Sequence, residues 1–153
     1  MIDYPPLFSE SKSILLANSS DTYLALNKLC AFLQKNIDSY NWVGFYFANF
    51  EDRTLHLKAF AGIPTEHTVI PFGKGICGQV ALSNESFLVD DVSAQDNYIA
   101  CDINVKSELV VPLFVNDKNI GQIDIDSNTA KAFTPADTHF LIQINSAVAE
   151  ILF

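Results

Sequence analysis

The chain has 153 residues, of which 49% are hydrophobic and 18% are charged, and its formal net charge is −9 at pH 7. This composition predicts one folded domain with a sizeable core rather than a disordered chain. The surplus of negative charge argues against nucleic acid or an anionic membrane as a partner, because both require basic patches on the protein.

Export and membrane signals are missing from the sequence. No apolar run approaches the length of a membrane span, and the N-terminal "MIDYPPLFSESKS" has no basic segment followed by an apolar one. We therefore expect a cytoplasmic protein whose three cysteines are normally reduced. Any disulfide is expected to be transient and catalytic.

Two helices are predicted at the start of the chain. Residues 6–18 favour a short helix with a proline near its start. Residues 19–37 place apolar side chains at helical spacing, with Ser20 or Asp21 as the N-cap. Cys30 lies on this apolar stripe and is predicted to be a core residue.

The middle of the chain predicts strands. Residues 41–50 and 53–62 alternate and are rich in aromatic and β-branched residues, which indicates a hairpin. Four further segments follow: a short extended piece at 67–72, a glycine-led short helix at 73–85, a short strand at 86–92 and a polar loop at 93–107.

A second hairpin and a helix close the chain. Residues 108–127 predict the hairpin, with "NDKN" as its turn, and 133–153 the helix. Thr134 is the expected N-cap, with Pro135 at the first helical position and Asp137 three residues beyond the cap. The order of elements predicts a single α+β domain over residues 1–153, an antiparallel sheet with helices packed on one face.

Two cysteines are candidates for chemistry. Cys77, in "PFGKGICGQV", stands at a predicted helix N-terminus, where a cysteine pKa tends to be lowered, although the glycine-rich stretch alone favours a structural turn. Cys101 lies in the polar loop, with no histidine following nearby to act as a base. The residues alone leave open whether Cys101 is a nucleophile or packing material.

Three carboxylates are predicted to converge. Asp124 and Asp126, in "QIDIDS", are two apart on a strand and point to one face, where each raises the cost of ionising the other. Glu108 joins them if the second hairpin pairs as expected. Such a group can bind an ammonium or donate a proton. The alternative is a solvated strand end.

The segment "NWVGFY" predicts an aromatic wall. Trp42, Gly44 and Tyr46 alternate onto one face of a strand, and the gap above Gly44 suits a small ligand. Neither a metal nor an organic cofactor is expected, because the cysteines show no C-x-x-C spacing and the three histidines are scattered.

The set of motifs resembles one family. "NWVGFY", "IPFGKGICG", "IACD", "SELVVPL" and "IGQIDIDS" occur in the order and approximate spacing of the free methionine-(R)-sulfoxide reductases, which are small stand-alone GAF-domain enzymes. The resemblance runs from about residue 20 to the C-terminus. It implies a six-stranded antiparallel sheet, a homodimer, a small closed pocket for free methionine sulfoxide and a thioredoxin-like reductant.

The resemblance also implies roles for individual residues. Cys101 corresponds to the nucleophile and Cys77 to a second cysteine. The remaining matched positions are the pocket carboxylates Glu108, Asp124 and Asp126, and the aromatic wall of Trp42 and Tyr46.

The sequence departs from the family pattern at two places. His67 stands where a third cysteine, the resolving residue of many members, is usual, and "AQDNYIAC" lacks the glycine-histidine pair common before the nucleophile. Cys77 or an outside thiol then resolves the oxidised nucleophile. The alternatives are a GAF sensor that binds an amino-acid-like ligand without turnover and, less well supported, a domain that serves only for dimerisation.

Overall fold

The computed structural model describes residues 1–95 and 104–153. In these ranges one antiparallel six-stranded sheet has the strand order β3-β2-β1-β6-β5-β4. The strands are β1 (Trp42–Asn49), β2 (Thr54–Ala61), β3 (Val69–Pro71), β4 (Phe87–Val89), β5 (Ser107–Val115) and β6 (Lys118–Ser127). The helices are α1 (Tyr4–Ala17), α2 (Thr22–Asn36), α3 (Gly75–Ser83) and α4 (Pro135–Leu152). The predicted α+β class is confirmed.

Local signals in the sequence set the helix boundaries. Asp21 caps α2 by accepting a hydrogen bond from the Leu24 N–H at 3.2 Å. At α4, the Thr134 N–H donates to Asp137 Oδ2 at 2.9 Å, which is half of the predicted capping box. Cys30 is fully buried in the core, as predicted.

A turn and a one-residue register shift together set the pairing of the second hairpin. Asn116 and Asp117 both have positive φ angles, 51° and 64°, which is the geometry of a two-residue type I′ turn. Asn and Asp tolerate this conformation better than most side chains. Between Leu113 and Phe114 the register shifts by one residue, and beyond this shift Glu108 pairs with Asp126 and Val110 with Asp124.

The two faces of the sheet carry different layers. Helices α2 and α4 pack on one face, where Val43 and Phe45 of β1 point into the larger core, and α1 packs against these two helices on the same side. The alternate β1 residues, Trp42 and Tyr46, point to the other face and join a smaller core with α3. Three helices thus lie on one face as predicted, and the fourth, α3, covers the opposite one.

The predicted polar loop at 93–107 is described only in part. Val92–Ala94 form a 3-10 turn, and Ser107 already belongs to β5. Cys101 lies outside the described residues. None of the helices that the structure describes has the length and apolar character needed to cross a membrane.

Candidate active site

Three neighbouring strands bring the predicted carboxylates together. On β6, Asp126 lies between Trp42 of β1 and Glu108 of β5. One step along the same face, Asp124 lies opposite Gly44. Side chains two apart on a strand share a face, so all of these residues project toward α3. The predicted convergence of the carboxylates is confirmed.

The carboxylates are buried. Glu108, Asp124 and Asp126 are between 3% and 4% exposed. The alternative of a solvated strand end is therefore wrong. Burying charged groups in this way is costly unless they share protons, form hydrogen bonds or bind a cation.

Helix α3 lays Cys77 over the same face. The amide of Gln122 on β6 donates to the Cys77 carbonyl at 3.1 Å, which ties the first turn of the helix to the sheet. Gly78 lets α3 lie close to the end of β3, because a Cβ there would lie 2.6 Å from the carbonyl oxygen of Pro71. The Cys77 thiol donates to Glu108 Oε2, with a sulfur–oxygen distance of 3.8 Å.

The surroundings of Cys77 keep its thiol protonated. Complete burial raises the pKa of Cys77 well above its ordinary value, and the negative charges of Asp124, Glu108 and Asp126 raise it further. The lowered pKa predicted from the helix N-terminus is wrong, because burial and the carboxylates outweigh the partial positive charge of that short helix.

Asp124 is held toward its neutral form. Burial raises the pKa of the Asp124 carboxyl, while hydrogen bonds with Glu108 and Cys77 oppose that shift. The prediction that one carboxyl of the group has a raised pKa is confirmed, with desolvation as the largest cause. A carboxyl whose pKa is raised in this way is better suited to donating a proton to a bound substrate.

The aromatic wall is held by backbone carbonyls. The Trp42 indole N–H donates to the Ile63 carbonyl at 3.1 Å, and the Tyr46 hydroxyl donates to the His67 carbonyl at 2.8 Å. The predicted gap above Gly44 is not open to a ligand, because the Trp42 ring itself fills it. Glycine is needed there because a side chain would occupy the space of the indole ring.

Two cavities flank these side chains. A cavity of about 20 Å³ lies against Cys77, Glu108 and Asp124, with Tyr46 and His67 in its wall. A larger cavity of about 330 Å³ lies on the side of Trp42 and Asp126. Its other described lining residues include Gln34, Asn41, Ile63, Val105 and Asn128. The thiol of Cys77 and the carboxyls of Glu108 and Asp124 line the small cavity, and most of the free volume lies in the large one.

Two contributors to this site, Gln122 and the His67 carbonyl, were not predicted from the sequence. Gln122 clamps Cys77, and strand alternation offered a signal for it, because Gln122 stands two residues before Asp124 and shares its face. The His67 carbonyl orients Tyr46, and no sequence pattern indicates a backbone contact of this kind. The predicted nucleophile Cys101 lies outside the described residues. The described part of the site is therefore built from the other predicted residues.

A further arrangement was not foreseen. Although no metal was expected, donor atoms of Cys77, Glu108 and Asp124 all lie within 4.8 Å of one another, which is compact enough for one ion.

Comparisons with known proteins agree with this geometry. The model of the GAF domain family matches residues 24–152. The free methionine-R-sulfoxide reductase of Escherichia coli is 36% identical over 138 residues, which cover 90% of this chain and 82% of the relative. This chain belongs to the free methionine-R-sulfoxide reductase family.

Solved structures of such reductases share the whole fold. The free methionine-R-sulfoxide reductase of Neisseria meningitidis, in complex with its substrate, superposes with a TM-score of 0.91 at 32% identity over 97% of this chain and 87% of its own. The reduced Staphylococcus aureus reductase gives a TM-score of 0.90 at 35% identity over 100% of this chain and 97% of its own. The fold and family expected from the resemblance are therefore confirmed.

Proposed function

We propose that this chain reduces free methionine-(R)-sulfoxide to methionine, with Cys101 as the nucleophile. One observation carries the proposal: a reductase-family chain gathers three buried carboxyl groups and a thiol beneath an aromatic wall. A partner-only dimerisation domain has no need of such a group.

The reducing step transfers oxygen from sulfur to sulfur. The Cys101 thiolate attacks the sulfoxide sulfur, the S–O bond breaks, and the oxygen passes to Cys101 as a sulfenic acid while methionine leaves. The departing oxygen needs a proton. Asp124 is the group best suited to supply it, because burial raises the pKa of its carboxyl.

The other side chains of the site bind and orient the substrate. Glu108 and Asp126 hold the substrate ammonium, and the rings of Trp42 and Tyr46 pack against its S-methyl end and exclude water. The cavity beside Cys77, about 20 Å³, is smaller than an amino acid. The substrate therefore also takes up part of the 330 Å³ cavity that Trp42 and Asp126 share.

Two routes return the sulfenic acid to a thiol. In one, Cys77 condenses with it, water leaves and a disulfide forms, which a thioredoxin-like protein then reduces by exchange. This route needs the two Cα atoms within about 7 Å. In the other, the outside thiol attacks the sulfenic acid directly. The buried, protonated state of Cys77 supports the second route, because the thiolate is the attacking species.

Assembly and location complete the proposal. We propose that the protein acts as a homodimer, supported by three large apolar side chains, Leu16, Tyr23 and Leu24, that are exposed where α1 meets α2. Cytoplasmic residence remains a prediction from the sequence.

Isomer-resolved kinetics with matched cysteine variants test the function. The wild type is expected to convert the free (R)-sulfoxide and to leave the (S)-sulfoxide unchanged. Cys101→Ser should abolish turnover, and Cys30→Ala should retain it, because Cys30 lies in the core on the other face of the sheet. Binding of the sulfoxide without methionine formation by the wild type would favour the sensor alternative.

A further inference from the structure

We propose that Cys77, Glu108 and Asp124 bind a thiophilic divalent cation of the Zn²⁺ class, and that this cation and the sulfoxide substrate exclude each other. The metal site is argued from the described residues alone. The mutual exclusion rests on the proposed function.

The spacing of the three donors suits a single zinc-like ion. Their ligand atoms lie within 4.8 Å of one another, and Cys77 Sγ is 3.8 Å from Glu108 Oε2. In a tetrahedral centre with Zn–S of about 2.3 Å and Zn–O of about 2.1 Å, a sulfur and an oxygen ligand are about 3.6 Å apart. The Cys77–Glu108 pair already has this separation, and side-chain movements of about 1 Å bring Asp124 to it.

Asp124 points to a ligand independently of the spacing. Its side chain is 4% exposed and lines the cavity beside Cys77 and Glu108. Among the described residues its Oδ1 has no hydrogen-bond partner, which is costly for a buried carboxyl oxygen. The cavity of about 20 Å³ is just large enough for one water-sized particle. It therefore fits one ion better than it fits an amino acid.

The donor set selects the class of metal. Zn²⁺ accepts cysteine sulfur together with carboxylate oxygen, whereas Ca²⁺ and Mg²⁺ prefer shells made only of oxygen. Soft thiolate ligands favour thiophilic ions among the divalent metals. Coordination replaces the thiol proton of Cys77, and the ion's two positive charges offset the carboxylates around it.

Few cationic groups compete with such an ion. Lys74 and His67 are the described basic side chains in the cavity wall. Lys74 is exposed, so water screens much of its charge. The substrate ammonium, which we place on Glu108 and Asp126, is the natural competitor. One bound ion blocks both the proton donor and part of the ammonium site.

Cadmium titration of the reduced, metal-free protein tests the site without any substrate. Cd²⁺ bound to a thiolate gives an ultraviolet charge-transfer band. We expect this band to saturate at one Cd²⁺ per chain, to persist in Cys30→Ala and Cys101→Ser, and to be absent in Cys77→Ser. Asp124→Asn should weaken Cd²⁺ and Zn²⁺ binding at least about tenfold, which is the lower end of the loss seen when supporting groups of metal sites are removed. Circular dichroism checks that each variant is folded.

The results separate the metal site from the proposed function. A band that survives in Cys77→Ser, or that disappears in Cys101→Ser, would overturn the site. In Cys101→Ser, which binds sulfoxide without consuming it, stoichiometric Zn²⁺ should weaken sulfoxide binding at least about tenfold. Unchanged sulfoxide binding would overturn the exclusion. Failure of the wild type to form methionine would instead count against the reductase function and leave the Cd²⁺ result untouched.

Discussion

The Cys77 thiol lies 3.8 Å from the Glu108 carboxylate, although the two residues are 31 positions apart and come from α3 and β5. The pair joins the helix to the row of carboxyl groups on the sheet. Burial raises the pKa of the Cys77 thiol most, and the carboxyl groups beside it, Glu108 among them, raise that pKa further.

Cys77 should therefore resist alkylation in the folded protein. Iodoacetamide reacts with thiolates, and both burial and the raised pKa suppress the Cys77 thiolate at neutral pH. Mass spectrometry of digested protein should show Cys77 modified far more slowly in the native state than in urea. Equal rates in the two states would contradict the description of its surroundings.

Asp124→Asn should remove the proton donor while keeping the shape of the side chain. We expect kcat to fall about 100-fold or more, the lower range for loss of a general acid, with a smaller change in KM. The protonated carboxyl is the active form, so the wild-type kcat should decline as pH rises through the raised pKa of Asp124. The variant should lack that alkaline decline. An unchanged pH profile would show that another group supplies the proton.

Gly44→Ala should displace the aromatic wall. A methyl group at this position collides with the Trp42 ring. Overpacking of this kind costs about 1–3 kcal/mol of unfolding free energy, and a shifted Trp42 should raise KM for the sulfoxide. Chemical denaturation and steady-state kinetics measure the two effects. Wild-type values for both would mean that Trp42 moves aside freely.

Tyr46→Phe should loosen the segment that follows β2. The variant loses the 2.8 Å hydrogen bond from the Tyr46 hydroxyl to the His67 carbonyl, at a cost of about 0.5–1.5 kcal/mol, and keeps the ring. We expect a higher KM with little change in kcat, because the wall is retained and only its support is lost. A loss confined to kcat would instead give the hydroxyl a part in the reaction.

Tyr40→Phe serves as the matched control on the other face of the sheet. The Tyr40 hydroxyl donates to buried Asp137 at 2.8 Å, and its loss should cost about 1–3 kcal/mol of unfolding free energy. Tyr40 packs in the core beneath α1, α2 and α4, so KM and kcat should remain unchanged. A change in kinetics would show that the two faces are coupled.

The parts of the fold that follow from local chemistry were predictable. Asn116 and Asp117 signal the hairpin turn, and strand alternation places Asp124 and Asp126 on one face. The pairing of Glu108 with Asp126 also depends on a one-residue register shift between Leu113 and Phe114, which the turn does not give. The features that depend on how side chains pack could not be predicted. The sequence pattern cannot tell that Trp42 folds back over Gly44, or that α3 covers the face opposite the other helices.

The state of Cys77 was mispredicted for a related reason. A helix N-terminus is visible in the sequence, but the burial that opposes it arises only when α3 docks on the carboxylates. The resemblance to a family, rather than any pattern of spacing, gave Cys101 its proposed role.

The most direct test is a single turnover of the pre-reduced protein with free methionine-(R)-sulfoxide, with methionine measured and free thiols counted before and after. If the protein is a reductase, we expect one methionine per active chain and the loss of at least one thiol. Loss of two thiols would indicate resolution by Cys77, and loss of one would indicate a sulfenic acid that waits for an outside thiol. Bound sulfoxide with no methionine formed would contradict the reductase function.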